Sequence, residues 1–245
     1  MFTAIRFLRA AAGEFFYDLP RMVLLNLIWF VATIPTLYIA FVWYRLTIEG
    51  EGGRPALHVW PIPLMALTFA LSGPATAGVY YVTNRLANGE LLEVPGVFAG
   101  FRRFFWRGWG LALIDATVLG LLVLNVVFYW YLDRPGVQLL SVIFGSLIGM
   151  WYAVQGYLFS LLVEMDQSLR LVLRNALFIA VDNLGLTLGV MVVNAVFLFF
   201  AGTAWPVALP FVIMALSSSV HNKTVVEAVA RYREQGRVFT DQPTG

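Results

Sequence analysis

Six long apolar segments, separated in strict alternation by arginine-rich and arginine-poor segments, constrain this chain more than any other feature. A helix needs roughly 20 apolar residues to cross the hydrocarbon core of a bilayer, so each segment is long enough for one crossing. With 60% hydrophobic and 12% charged residues, the chain has no room for a soluble domain. We therefore predict an all-α, polytopic membrane helix bundle with about six transmembrane helices and short interfacial amphipathic helices. The apolar segments lie at about 21–46, 57–84, 108–132, 136–163, 184–201 and 203–220.

One membrane domain over residues 1–245 accommodates these segments. Residues 2–17 have apolar side chains at helical spacing opposite Arg6, Arg9 and Glu14, which predicts a helix in the membrane interface. Two later units, 95–163 and 167–220, each combine an interfacial helix with a helical hairpin. Their similarity fits either an internal repeat or convergence on a common design. The predicted parts are an interfacial helix 1–20, a hairpin 21–94, an interfacial helix with a second hairpin 95–163, an interfacial helix with a third hairpin 164–220, and a cytoplasmic tail 221–245.

The basic residues are distributed unequally between the two sides of such a bundle. Placing both termini on one side assigns thirteen of the sixteen basic residues to that side and leaves Arg45, Arg54 and Arg134 on the other. The positive-inside rule then predicts both termini in the cytoplasm, and we expect a multi-pass protein of the plasma membrane. Because these residues lie at helix ends, where lipid headgroups would be, nucleic acid is not an expected partner.

Several motifs resemble the YesL family of bacterial membrane proteins. They are residues 26–39, residues 73–90 with Gly-Pro-Ala-Thr-Ala at 73–77, Phe-Ala-Gly-Phe-Arg-Arg-Phe-Phe at 98–105, and Leu-Arg-Asn-Ala-Leu-Phe-Ile-Ala at 173–180. The resemblance implies a protein often encoded beside carbohydrate-uptake transporters and saccharide-degrading enzymes, and it assigns no catalytic or binding residue. In the YesL family the elements that correspond to Pro35 and Gly73 lie close together, whereas nearly forty residues separate them in this chain. The additional residues predict an extended extracytoplasmic hairpin over 35–73.

The second apolar segment contains a proline, which removes a backbone hydrogen bond and kinks a helix. Gly73, Pro74 and Thr76 lie at this point. The kink either packs against another helix through its small residues or exposes backbone groups to a solute. We therefore include the three residues among the candidate functional positions.

Asp115 is the only acidic residue well inside an apolar segment. A carboxylate at that depth costs a few kcal/mol unless it is paired, hydrated or protonated. It either pairs within the protein or has a proton or solute role. Asn26, Asn125 and Asn194, with Gln155, place one amide in each of four segments, and we predict hydrogen bonds between helices worth about 1 kcal/mol each. The three asparagines are further candidate functional residues.

Small residues recur every four positions on the fourth segment, at Ser141, Gly145, Gly149 and Ala153. They predict a flat face that packs inside the protein or, as the alternative, against a second copy. Catalytic motifs are not found around Ser146 or His221, and His221 is predicted to be a helix-end cap or interface residue. With no cysteine and two histidines, neither a metal site nor a cofactor is implied, and we predict no enzyme.

Aromatic and basic residues are mixed in two connections on the predicted cytoplasmic side, 95–107 and 167–181. These residues predict a lipid anchor or a docking ledge for a partner. The resemblance to the YesL family implies a protein accessory to oligosaccharide uptake, beside a carbohydrate ABC transporter complex, and the apolar segments imply contact with the lipid bilayer. Two alternatives stay open: a small secondary transporter or channel with its own solute pathway, and a structural homodimer. In the connections 95–107 and 167–181, the residues predicted to contact lipid or a docking partner are Arg102, Arg103, Trp106, Arg107, Arg170 and Arg174.

Overall fold

A computed structural model describes residues 2–48, 61–132, 134–204 and 209–235. All regular secondary structure in these ranges is helical, which confirms the predicted all-α bundle. The tip of the 35–73 hairpin and the end of the C-terminal tail lie outside the described residues. The helices are α1 Phe2–Tyr17, α2 Leu19–Ile48, α3 Pro61–Ala87, α4 Gly96–Arg103, α5 Phe105–Tyr131, α6 Pro135–Met165, α7 Leu169–Asp182, α8 Leu184–Ala204 and α9 Leu209–Glu234.

Three helices in the described part of the chain are long and apolar enough to cross a membrane, and a bent pair would add a fourth. The three are Leu19–Leu46, Phe105–Tyr131 and Gly136–Met165, and the pair is α7 with α8, which meet at 94°. Helices α2, α3, α5, α6, α8 and α9 occupy the six predicted segments. Large apolar side chains cover their outer surfaces, as a hydrocarbon solvent allows. The number of crossings stays a prediction.

Helix α3 lies at the centre of the bundle, packed against α2, α4, α5, α6 and α9. Its backbone approaches α5 most closely at Gly73. A Cβ atom there would lie 2.3 Å from the carbonyl oxygen of Gly108 and 2.7 Å from Cβ of Ala112. Pro74 is buried beside it, and α3 continues through the proline to Ala87. The Gly73-Pro74 element is therefore a packed helix contact.

One end of the bundle carries both short helices, and we call it the α4/α7 end. The segment predicted as one interfacial helix over 95–107 divides in two, because α4 ends at Arg103 and α5 begins at Phe105. Trp106 and Arg107 therefore belong to the first turn of a long helix. Phe104, which separates the two helices, is only 1% exposed, and its burial holds the junction between α4 and α5 in place.

Helix α9 continues well past residue 220, where the sixth apolar segment ends. Val225, Ala228 and Val229 recur at helical spacing and are buried in the core, so packing extends the helix to Glu234. The residues expected to begin a tail at 221 are therefore helical. Helix α1 packs on this extension, where Lys223 donates to Glu14 over 2.6 Å.

Candidate functional site: a polar cavity between α3, α6, α8 and α9

A cavity of about 170 Å³ lies between α3, α6, α8 and α9. Most of the residues that line it carry a hydroxyl, amide or imidazole group, and no Asp, Glu, Lys or Arg is among the described residues that surround it. Such a space suits an uncharged ligand that exchanges hydrogen bonds. The cavity is lined by Tyr80, Tyr152, Ala153, Gln155, Gly156, Tyr157, Thr187, Val190, Met191, Asn194, His221 and Thr224.

His221 joins three helices at this cavity. Its Nδ1 lies 3.0 Å from the hydroxyl of Tyr80 on α3, and its Nε2 lies 3.0 Å from Nδ2 of Asn194 on α8. Ser217 donates to the amide oxygen of Asn194 over 3.3 Å. With Asn194 donating to Nε2, the neutral imidazole carries its proton on Nδ1 and donates to Tyr80. The tyrosine O–H is then available for an acceptor in the cavity.

The imidazole of His221 lies directly against the backbone of α6. A Cβ atom at Gly156 would lie 2.8 Å from Nε2 of His221, so a larger residue would displace the ring. The rings of Tyr80 and His221 are parallel within 6°, with centroids 6.4 Å apart. These contacts fix the position of the His221 ring. Because His221 lies in the middle of α9, the prediction of a helix-end cap is wrong.

Asp115 links α5 to α6 beside the cavity. Its Oδ1 accepts hydrogen bonds from Trp151 over 2.7 Å and from Gln155 over 2.6 Å, and Gln155 also lines the cavity. The pairing expected of this carboxylate is therefore present. Asp115, Gln155 and Asn194 each lie ten residues from the α4/α7 end of their helices. At 1.5 Å per residue this distance along each helix is about 15 Å, or half the length of helix that a hydrocarbon core requires.

Two of the three asparagines predicted to form hydrogen bonds between helices do so. The Oδ1 atom of Asn26 accepts from the backbone amides of Met214 and Ala215 on α9, over 2.7 and 3.0 Å. Asn194 contacts α9 through His221. Asn125 instead donates to the carbonyl of Leu121 one turn earlier in its own helix, so the prediction of a hydrogen bond between helices is wrong there.

Of the seven candidate functional residues, only Asn194 lines the cavity. Asp115 reaches it through Gln155. Thr76 accepts a hydrogen bond of 2.9 Å from the indole N–H of Trp29, which joins α2 to α3. The structure does not bring Gly73, Pro74, Asn26 or Asn125 to the cavity lining.

The small-residue face of α6 does not form the expected internal contact along its whole length. Cβ atoms at Gly145 and Gly149 would have no described atom within 4 Å. Ser141 is buried and donates to the carbonyl of Val126 over 3.2 Å, and Ala153 lines the cavity. The internal contact is therefore wrong at the two glycines, where the face is open.

The predicted interface residues divide into two groups. Arg103 and Arg107 form ion pairs with Asp166, and Arg107 also donates to the carbonyls of Asp166 and Gln167. They therefore fasten the end of α4 and the start of α5 to the end of α6. The other four are exposed, among them Trp106 with 77% of its surface accessible. These four are Arg102, Trp106, Arg170 and Arg174.

Opposing effects act on Asp166, which follows α6. Burial raises the pKa of its carboxyl group, but hydrogen bonds from Arg103 and Arg107, together with their positive charges, lower it more. The net pKa of Asp166 lies below its ordinary value of 3.8. Asp166 also has a left-handed backbone with φ of 51°, which a short polar residue tolerates.

A signal for His221 was present in the sequence. Ser217, Ser218, Ser219, Asn222 and Thr224 surround it, and such a polar run directly after an apolar segment indicates an interior hydrogen-bond network. In the structure Ser218, Asn222 and Thr224 are buried at 0–1% exposure. The site residues Tyr80, Tyr152 and Tyr157 gave no such signal, because tyrosine is common throughout apolar helices.

Comparison with known proteins identifies a family match for part of the chain. Residues 22–134 match the model of a family described as a protein of unknown function, DUF624. No curated protein matches the chain, and no solved structure matches it. The matched range covers most of α2 and all of α3, α4 and α5. Of the residues that line the cavity, it includes Tyr80 alone.

Proposed function

We propose that this protein is a YesL-type, multi-pass protein of the bacterial plasma membrane that assists oligosaccharide uptake without being an enzyme. The YesL family contains the DUF624 domain that matches residues 22–134. The motif at 98–105 lies within this range on α4 and the start of α5, and the motif at 173–180 extends the resemblance to α7. The carbohydrate role comes from this resemblance, and the chain would act as an accessory partner of a transport complex.

The observation that carries the proposal is the uncharged, hydrogen-bonding cavity of about 170 Å³. Neutral saccharides have no charge and present hydroxyl groups that both donate and accept hydrogen bonds. The cavity offers the amide groups of Gln155 and Asn194 and the tyrosine O–H described above. Buried polar groups of this kind favour a ligand that pairs them and disfavour an apolar one. In this proposal the cavity holds one saccharide unit.

The α4/α7 end is the cytoplasmic end in this proposal, and it carries the docking surface for the transport complex. The contact that we infer consists of Arg102 and Trp106, because both are exposed. Exposed tryptophan and arginine are enriched at protein interfaces and at membrane interfaces alike. Exposure of these residues therefore does not distinguish binding to a partner protein from binding to lipid, and recovery of a bound partner is needed to do so.

A pull-down of tagged protein from native membranes, with crosslinking and mass spectrometry, tests the accessory role. We expect a saccharide-transport permease to be recovered with the wild-type chain. The double variant Arg102→Ala with Trp106→Ala should lose it. Tyr131→Ala, at the other end of α5 and with its aromatic ring 81% exposed, is the matched control. Absence of every transport component from the wild-type capture would contradict the proposal.

A small secondary transporter is the second candidate, because the cavity lies about 15 Å along α6 and α8 from the α4/α7 end, as a solute pathway requires. Purified protein in liposomes distinguishes the two. An accessory protein leaves labelled maltose outside the liposomes, whereas a transporter admits it at a rate that falls when Gly156→Leu fills the cavity.

A further inference from the structure

A second, larger space adjoins the polar cavity. It is an apolar groove of about 520 Å³ on the outer surface of α5, α6, α7 and α8. Nearly all of its lining is hydrocarbon, and Met150 and Leu188 on its walls are 62% and 45% exposed. The groove is lined by Val118, Leu122, Ser146, Leu147, Gly149, Met150, Trp151, Ala153, Val154, Leu177, Ala180, Val181, Leu184, Thr187, Leu188 and Met191.

The groove and the cavity are adjacent. Ala153, Thr187 and Met191 line both spaces, so an apolar side and a hydrogen-bonding side meet at these three residues. Gly149 helps to open the groove, because a side chain there would project into space that no described atom occupies. A molecule that enters from the bilayer between α6 and α8 therefore meets hydrocarbon first and hydroxyl and amide groups next.

We propose that the groove and the cavity together bind one amphiphile, with its hydrocarbon chain in the groove and an uncharged, hydroxyl-bearing head group in the cavity. The inference rests on the proposed function in using the same cavity for a saccharide unit. It makes the ligand a glycolipid or another alkyl glycoside that arrives through the bilayer.

The charge of the lining selects the head group. None of the described residues around either space is Asp, Glu, Lys or Arg. The phosphate of a phospholipid would be buried there without a cation, at a cost that its hydrogen bonds would not offset. A sugar head group has no charge to compensate and pairs with Gln155, Asn194 and Tyr80. Ordinary phospholipids are therefore excluded from the cavity, although their chains can touch the groove.

Photocrosslinking in phosphatidylcholine nanodiscs tests the inference. The probe is n-octyl glucoside with a diazirine at the end of its chain, and mass spectrometry maps the adducts. We expect adducts on groove residues of α6 and α8, and at least a fivefold loss in Gly149→Leu. Gly145→Leu, one turn away in equally open space outside the groove, is the control and should label as wild type.

Leu188→Trp fills the groove from α8 and gives a second variant if Gly149→Leu does not fold. Unlabelled octyl glucoside should compete with the probe, whereas octyl phosphocholine, with the same chain and a charged head group, should compete at least tenfold less well. Equal labelling of wild type and both groove variants overturns the inference. Equal loss in Gly145→Leu also overturns it, because the whole face would then be a general lipid surface or a contact with a second copy.

Free glucose, measured by equilibrium dialysis, separates this inference from the proposed function. If glucose binds as tightly as octyl glucoside and Gly149→Leu changes neither, the chain has no site in the groove and the saccharide cavity stands. If neither compound binds, the cavity proposal fails together with the amphiphile.

Discussion

Gln155 on α6 donates a hydrogen bond of 2.6 Å to Asp115 on α5 and at the same time lines the polar cavity. The carboxylate therefore fixes the orientation of a cavity side chain from outside the cavity. Trp151 donates to the same oxygen over 2.7 Å, so Asp115 holds two donors of α6 in place. One partly buried acidic residue thus links two helices beside the site.

Replacing Asp115 by Asn should preserve the fold, because the amide oxygen still accepts from Trp151 and Gln155. Asp115→Leu leaves both donors unpaired and should lower the free energy of unfolding by about 1–3 kcal/mol. Denaturation of the two variants by sodium dodecyl sulfate in mixed micelles measures this difference. Equal destabilisation by both substitutions would show that the charge of Asp115, rather than its hydrogen bonds, is required.

Gly73 should be the least replaceable glycine of α3. In Gly73→Ala the new Cβ would meet the backbone oxygen of Gly108, which cannot move as a side chain could. We expect a loss of about 1–3 kcal/mol from separation of α3 and α5. Gly120→Ala, on the open side of α5, is the control and should be neutral or stabilising by up to about 1 kcal/mol. Similar melting temperatures for the two variants would contradict the close contact.

Asn26 and Asn125 have the same side chain but different partners. Asn26→Leu removes the acceptor shared by two backbone amides of α9 and should cost about 1–2 kcal/mol. Asn125→Leu removes only a bond within its own helix and should change stability by less than about 0.5 kcal/mol. Unfolding in detergent measures both. A larger effect at Asn125 would mean that this amide faces a partner outside the chain.

Asp166 should make stability depend on acid pH. Its folded-state pKa lies below the value near 3.9 of an unfolded chain, so its contribution is complete above that value and is lost as pH falls through the folded-state pKa. Because 37% of the side chain is exposed, solvent limits the contribution to about 1 kcal/mol.

The measurement for Asp166 is the difference in melting temperature between wild type and Asp166→Asn as a function of pH. The difference should be constant between about pH 5 and pH 8, and should shrink as pH falls below about 4. Asp18→Asn, which breaks an exposed pair with Arg21 three residues away, is the control and should show a smaller effect. A difference that grows on acidification would contradict the role of the two arginines.

The sequence predicts the helices well, because hydropathy and helical spacing are local properties. It does not predict the cavity, because Tyr80 and His221 are 141 residues apart and meet only when α3 packs on α9. The glycines show the same limit. Gly73 and Gly145 both lie among small residues, but only the position of neighbouring helices decides that one is packed and the other open.

The structure differs from the sequence-based predictions where contacts form between residues that are far apart in the chain. Helix α9 continues past its apolar segment because Val225, Ala228 and Val229 are buried by other helices. Arg103 and Arg107 serve within the protein because Asp166, about sixty residues later, lies at the same end of the bundle. Charge counts along the chain place arginines on one side but do not reveal such pairs.

The most direct test of the saccharide cavity uses the absence of cysteine from the chain. Val190→Cys places a thiol in the cavity, and Val192→Cys places one on the outer face of the same helix, where Val192 is 55% exposed. A membrane-impermeant methanethiosulfonate reagent is applied from the cytoplasmic side to each variant in membranes. We expect Val190→Cys to react with the reagent, and the rate of this reaction to fall at least threefold when maltose or glucose is saturating. Val192→Cys should remain unmodified, because lipid covers it. Equal reaction of Val190→Cys with and without saccharide, or none in either condition, would contradict a solute-binding cavity.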